Sequence, residues 1–240
     1  MISGPPVHPP VENLNEDDLE VIYWEVRGHD GCYRTVAALQ HFFDLFPTNH
    51  PLRIRTADGE DFITDIDSRV ILEFDLHRPL QIMHIAMGGG KSFSTGDQER
   101  MNQAVWGFER PGEEMVGIAL DMASMQFGEK GRGKGGENFM LGTLDAFYNF
   151  VETVVAGGDP MKLGSKRIGP SPHDKWLKEV ARRVRYRWTN RETGRWCDHC
   201  GKPLDAPKSC PCHEVFYCGS AHQKKAWRFH KKHCSKRKTN

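Results

Sequence analysis

Apolar and polar residues alternate weakly from Leu19 to Val26, and the run stops at Gly28, a pattern that predicts a strand. From Arg34 to Phe46 the period changes. Val36, Leu39, Phe42, Phe43 and Phe46 fall on one face of a helix with 3.6 residues per turn. Leu52 to Ile63 is broken at Asp58-Gly59, a turn pair that predicts a β-hairpin. Val70 to Leu76, Leu80 to Met87 and Val116 to Leu120 are apolar runs of strand length. Gly128 to Gly136 holds five glycines and reads as a mobile surface loop. Thr143 precedes Leu144, Phe147, Tyr148, Phe150 and Val151 at helical spacing, so it starts a predicted helix that stops near Gly157-Gly158. Asp159 to Pro172 is rich in glycine and proline and marks a domain boundary. Ser171-Pro172 then starts a long basic helix running to about Trp188.

Several strands before a late helix argue for an α+β body rather than an alternating βαβ fold. The expected organisation is a flexible leader rich in proline and acid (1–17), the α+β domain (18–158), a linker with the basic helix (159–195), a Cys/His-rich module (196–235) and a basic tail (236–240). No apolar run approaches 18 residues, so no membrane span is expected. The first residues carry neither a basic segment nor an apolar stretch, so no secretory signal is read there and an intracellular location follows.

Charge sharpens the division. The net charge is +1, yet residues 1–161 hold 12 Lys and Arg against 26 Asp and Glu, and residues 162–240 hold 21 against 6. Such polarity points to attraction between the halves or to an acidic partner for the basic one.

Six of the seven cysteines lie in the last 44 residues: Cys197-x2-Cys200, Cys210-x-Cys212, Cys218-x3-His222 and His230-x3-Cys234. Zinc takes four Cys or His ligands at tetrahedral angles, and four such pairs fill two closed sites with no position left for water. A closed site holds a fold and does not activate a nucleophile. A disulfide cluster is disfavoured, because disulfides are not kept in the reducing cell interior and give the interleaved histidines no role. Phe216-Tyr217-Cys218-Gly219-Ser220-Ala221-His222-Gln223, followed by Trp227, His230 and Cys234, resembles the MYND zinc finger over roughly residues 197–234. The resemblance implies interleaved ligands: Cys197, Cys200, Cys218 and His222 on one zinc, and Cys210, Cys212, His230 and Cys234 on the other. The second pair is shorter than the family's usual Cys-x2-Cys. Cys212 keeps the usual distance to Cys218, and His213 is the competing ligand because it restores a two-residue gap from Cys210. His199 and His233 read as exposed residues beside ligands.

The body offers further chemistry. Gly88-Gly89-Gly90-Lys91-Ser92 lacks the first glycine of a phosphate loop, since Ile85 stands there. Asp121 ends an apolar strand as a magnesium-binding acid would, an ending too common to identify one. Gly131-x-Gly133-x-Gly135-Gly136 is not flanked by the strand and helix of a dinucleotide site. Cys32 precedes a predicted helix, whose dipole favours the thiolate, while burial would make it structural. Asp121-x4-Gln126-Phe127 resembles a stretch of papain-like or transglutaminase-like domains, in which a histidine stands shortly before a tryptophan. Ala104-Val105-Trp106 occupies that place here, so the resemblance implies a fold that has lost catalysis. His41, in a predicted helix, and His84, in an apolar strand, read as structural. Lys175 to Arg195 interleaves eight basic residues with Trp176, Leu177, Val180, Val184 and Trp188, which predicts an apolar face packed away and a solvated basic one.

These observations favour a zinc-binding protein whose finger binds other proteins. The resemblance implies proline-containing peptides, with Gln223 and Trp227 as contacts, while Trp227 reads equally as a core residue buttressing the zinc sites. The chain's own Pro5-Pro6-Val7-His8-Pro9-Pro10-Val11 is one candidate occupant. The alternatives are an enzyme, thiol-based or nucleotide-dependent, in the body, and a nucleic-acid-binding regulator using the basic half.

Overall fold

The computed structural model describes residues 14–79, 83–87, 91–95, 99–163, 165–231 and 234–236, excepting the side chains of 16, 83–87, 91–95, 157–163, 228 and 229. The proline segment 5–11, Gly88-Gly89-Gly90, His233, the side chain of His84 and the tail past Lys236 therefore lie outside the described residues. The chain divides into two compact units, Met1–Glu179 and Val180–Asn240.

The first unit runs α1 (Glu16–Gly28), α2 (Cys32–Phe43), β1 (Pro51–Arg55), β2 (Asp61–Asp65), β3 (Arg69–Pro79), β4 (Met83–Met87) and β5 (Lys91–Thr95). It continues with β6 (Arg100–Glu109), β7 (Val116–Asp121), β8 (Met140–Thr143), α3 (Leu144–Val154) and β9 (Val155–Leu163), and α4 (Asp174–Thr189) begins in it. Five strands form an antiparallel sheet in the order β8-β7-β6-β3-β9, while β1-β2 and β4-β5 are separate hairpins.

Register explains the two cores. Leu72 stands opposite Val105, and both point to the side where Phe147, Phe150 and Val151 of α3 pack. One residue along, Ile71 stands opposite Trp106, and both point to the other side, with Val36 and Phe43 of α2. The central strands are thus covered on both faces, so Ile71-Leu72 and Ala104-Val105-Trp106 read as continuous apolar runs rather than alternations. Each large apolar side chain buried this way contributes roughly 1.5–3 kcal/mol. A mixed helix-and-sheet body follows, as the sequence predicts.

Several local expectations are corrected. Leu19 to Val26 is helical, within α1. Asn15 accepts hydrogen bonds from the backbone N–H groups of Asp17 and Asp18, and the Asp18 carboxylate accepts from Asn15 N–H, a reciprocal cap that starts the helix. Its most buried position is Glu25, so a polar residue on the inner face disguised the helical period, while Leu19 and Tyr23 are exposed. The central strand β6 and the edge strand β8 were not predicted from periodicity. Arg100, Asn102 and Gln103 open β6 with polar residues, and β8 is only four residues long.

The glycine-rich stretch is packed rather than superficial at Gly128, Gly131 and Gly133, which are buried. A β-carbon on Gly131 would stand 1.7 Å from the Ser124 carbonyl oxygen, and Ser124 Oγ donates to the Gly131 carbonyl at 2.6 Å. Thr143 caps α3, its Oγ1 accepting from Ala146 N–H at 3.2 Å, and the helix ends at Val154, before the expected stop.

The expected boundary near 159 is displaced, because Val155–Leu163 pairs with β3 as an edge strand. Glu73 faces Lys162 and Asp75 faces Asp159, which leaves Pro160 and Met161 opposite the single residue Phe74. An edge strand with a bulge is where a sheet tolerates proline. Along α4, Leu177 and Ala181 are buried, whereas Trp176, Val184 and Trp188 are 60, 45 and 50 % exposed, so the expected apolar face is covered only in part. Among the described residues no helix is long and apolar enough to cross a membrane.

Candidate metal centre

In the second unit, β10 (Lys208–Ser209) and β11 (Phe216–Tyr217) pair antiparallel, and α5 (Ser220–His230) follows. Two tight turns present the first and second cysteine pairs. In the first, Gly201 N–H donates to the Cys197 carbonyl, with Gly201 left-handed at φ 67°. In the second, His213 N–H donates to the Cys210 carbonyl, with His213 left-handed at φ 60°. His213 thus stands where glycine stands in the first turn, directly after a cysteine. α5 carries His222 and His230 two helical turns apart.

The turns and the helix gather two groups of four. The donor atoms of Cys197, Cys200, Cys218 and His222 all lie within 4.8 Å of one another, as do those of Cys210, Cys212, His230 and Cys234. Cys200 and Cys218 sulfurs are 3.9 Å apart, and those of Cys210 and Cys234 are 3.7 Å apart. Two thiolates on a tetrahedral zinc with bonds of about 2.3 Å stand about 3.8 Å apart, so the donor sets fit that ion. The same separations are far beyond a disulfide bond, and all seven cysteines are free. His222 turns Nδ1 toward Cys218 at 2.9 Å, and His230 turns Nε2 toward Cys210 at 3.2 Å and Cys212 at 3.3 Å. The groups interleave along the chain, and the second contains Cys212 rather than His213.

The cysteines of the two groups differ in how readily they ionise. Burial pushes the Cys210 thiol up to about 11, and the neighbouring Cys212 and Cys234 add to it. Cys218 rises to about 11, from desolvation and then from Cys197 and Cys200 beside it. Burial opposes ionisation of Cys197 too, but backbone N–H groups of Cys200 and Cys218, with His222, outweigh it and hold the thiol near 6. A dication within each group would favour the thiolate form of all three of its cysteines. Fully buried Tyr217 packs with Cys197, Cys210, Ala226 and Cys234, so the unit's small core is built around members of both metal groups.

Ser220, Gln223, Lys224 and Trp227 lie on one face of α5 at helical spacing. With Cys210, Pro211, Cys234 and Lys236 they line a cavity of about 400 Å³. Trp227 is 40 % exposed and meets the ligand His230 edge-on at 5.9 Å between ring centres. The groove therefore rests on the second metal group.

The body's candidate residues are brought to other ends. Cys32 is the first residue of α2, but burial overrides the helix dipole and pushes its thiol up to about 11, so it is no thiolate. Its Sγ donates to the Asn102 carbonyl at 3.6 Å. Asp121 is 1 % exposed and accepts from Gln103 Nε2 at 2.7 Å and from Ala123 N–H at 2.8 Å, while Gln126 Nε2 donates to Gln103 Oε1 at 2.8 Å. That network occupies the carboxylate that a catalytic histidine or a magnesium ion would need. His41 is buried in α2 with Nε2 3.2 Å from Asp174 Oδ1. A second cavity, of about 570 Å³, is lined by Tyr33, Glu73 and Arg167 among others. Within it, Tyr33 is bonded to Glu73, and Arg167 to Asp44 through bonds of 2.6 and 2.7 Å.

Desolvation pushes the Asp121 carboxyl up from 3.8 to about 7. A carboxyl that ionises less readily when folded adds stability that is complete below about pH 4 and lost as pH rises through 7. Asp121→Asn is therefore expected to gain stability relative to wild type between pH 5 and pH 8, measured by denaturant unfolding at each pH. A difference that stays constant over that range would show that the carboxyl is not raised.

Residues 197–234 match the family model of the MYND finger. Comparison of the chain with curated proteins and with solved structures finds no match.

Proposed function

We propose that this chain is an intracellular adaptor whose MYND finger, residues 197–234, holds two zinc ions and binds proline-containing peptide segments of other proteins. The observation that carries the reading is the groove on α5, where Gln223 and Trp227 lie beside Ser220 and Pro211 above the second metal group. An exposed indole offers a flat apolar face to a pyrrolidine ring, and the Gln223 amide offers a donor and an acceptor to peptide backbone. Proline segments are extended before binding, so they lose little entropy on docking. Zinc in closed sites is structural here. A reducing compartment keeps the thiols available to it, which supports the intracellular placement.

Trp227→Ala is expected to weaken binding of a proline-containing peptide at least tenfold, and Gln223→Ala several-fold, with two zinc ions per chain retained. Calorimetric titration with zinc quantification reads both. Unchanged affinity in both variants would remove the groove from the reading. Loss of zinc in Trp227→Ala alone would make that residue a buttress of His230, leaving Gln223→Ala to decide.

A further inference from the structure

We infer that the groove selects proline-containing segments that carry an Asp or Glu beside the proline, a specificity that rests on the peptide reading above. Its lining includes two ammonium groups, Lys224 from α5 and Lys236 from the segment after Cys234, both exposed, and no carboxylate among the described residues. The three thiolates and one dication of the second metal group leave a formal charge of −1 beneath it, which the two lysines outnumber. Glu214 accepts from Oγ of Ser235, next to Lys236 in the chain, at 3.2 Å, and is not among the lining residues. The surrounding unit holds 16 Lys and Arg against 4 Asp and Glu over residues 180–240, so the field at the groove is positive on the longer scale as well.

Lys224 lies on the same face of α5 as Trp227. Lys224 follows Gln223 and stands one helical turn before Trp227 and Arg228. A peptide with proline against Trp227 would thus set its neighbouring side chains near an ammonium group. A neutral neighbour gains nothing there, and a basic one is repelled. Exposed lysine–carboxylate pairs are worth up to about fivefold each and weaken with salt, so charge sets preference while the apolar contact sets binding.

The test uses the full chain loaded with two equivalents of zinc and two decapeptide libraries, one with proline fixed at the centre and the other positions randomised, the other free of proline. Captured peptides are sequenced. Retention of the proline library with roughly threefold or greater enrichment of Asp and Glu at the flanking positions is expected. That enrichment should vanish in the Lys224→Glu/Lys236→Glu double variant, whose zinc content certifies its fold. Proline retained without acidic enrichment would overturn the charge selectivity and leave the peptide reading standing. No preference for the proline library would remove both. Displacement of a selected peptide by an equimolar thymidine oligonucleotide would assign the lysines to nucleic acid instead and equally overturn the inference.

Discussion

Stripping zinc from this protein is expected to unfold residues 197–234 while the strands of the first unit keep their protection. Structural zinc binding contributes about 10–16 kcal/mol in small fingers at neutral pH, and a segment of this size cannot bury enough apolar surface to fold alone. The finger's core makes the dependence concrete: Tyr217 and Ala226 pack against Cys197, Cys210 and Cys234, which belong to the two metal groups. Chelation should therefore remove amide protection across β10, β11 and α5 together, read by hydrogen exchange with mass spectrometry. Point variants sharpen it. Cys212→Ala should bind one zinc ion per chain, whereas His213→Ala should bind two, because His213 is a left-handed turn residue outside the ligand group. The reverse pattern would reassign the ligand, and a chelated finger that keeps its protection would show that metal does not hold it.

In the body, Trp106→Ala should cost about 4–5 kcal/mol, a large share of a typical domain's stability of 5–15 kcal/mol. Trp106 is 0 % exposed in the central strand and meets Phe43 edge-on, with ring centres 5.5 Å apart. Its Nε1 donates to the Val36 carbonyl at 3.3 Å, and the buried Arg69 guanidinium lies 5.7 Å from its ring centre. Truncation leaves a cavity, removes a buried hydrogen bond and leaves a buried cation with less to face. Trp188→Ala, 50 % exposed, should change stability by no more than about 0.5 kcal/mol. Denaturant unfolding compares the two. A Trp106→Ala loss below about 2 kcal/mol would mean that the helix–sheet layer collapses around the gap.

The metal groups were legible because coordination chemistry acts through residue type and short spacing, both of which a sequence carries directly. Cys212 against His213 was not decided by spacing. Backbone conformation separates them, since a left-handed residue after the cysteine closes the turn. In the body, Val36, Phe43, Val70 to Leu76 and the Thr143 cap followed local pattern and were readable. α1 was not, because its inner face includes Glu25. For Cys32 the sequence shows the helix terminus that would favour a thiolate, while the burial that makes it structural comes from the fold. The same holds for β9. Glycine and proline predict an ending locally, but pairing with β3 extends the sheet through them.

The doubled step at Pro160 and Met161 has a consequence for colloidal behaviour. An exposed sheet border invites another molecule to add a strand and grow a fibrous aggregate. A proline lacks the amide such an addition would use, and a local extra residue spoils the regular repeat that a newcomer must match. The irregularity thus gives this border a guard against self-templating.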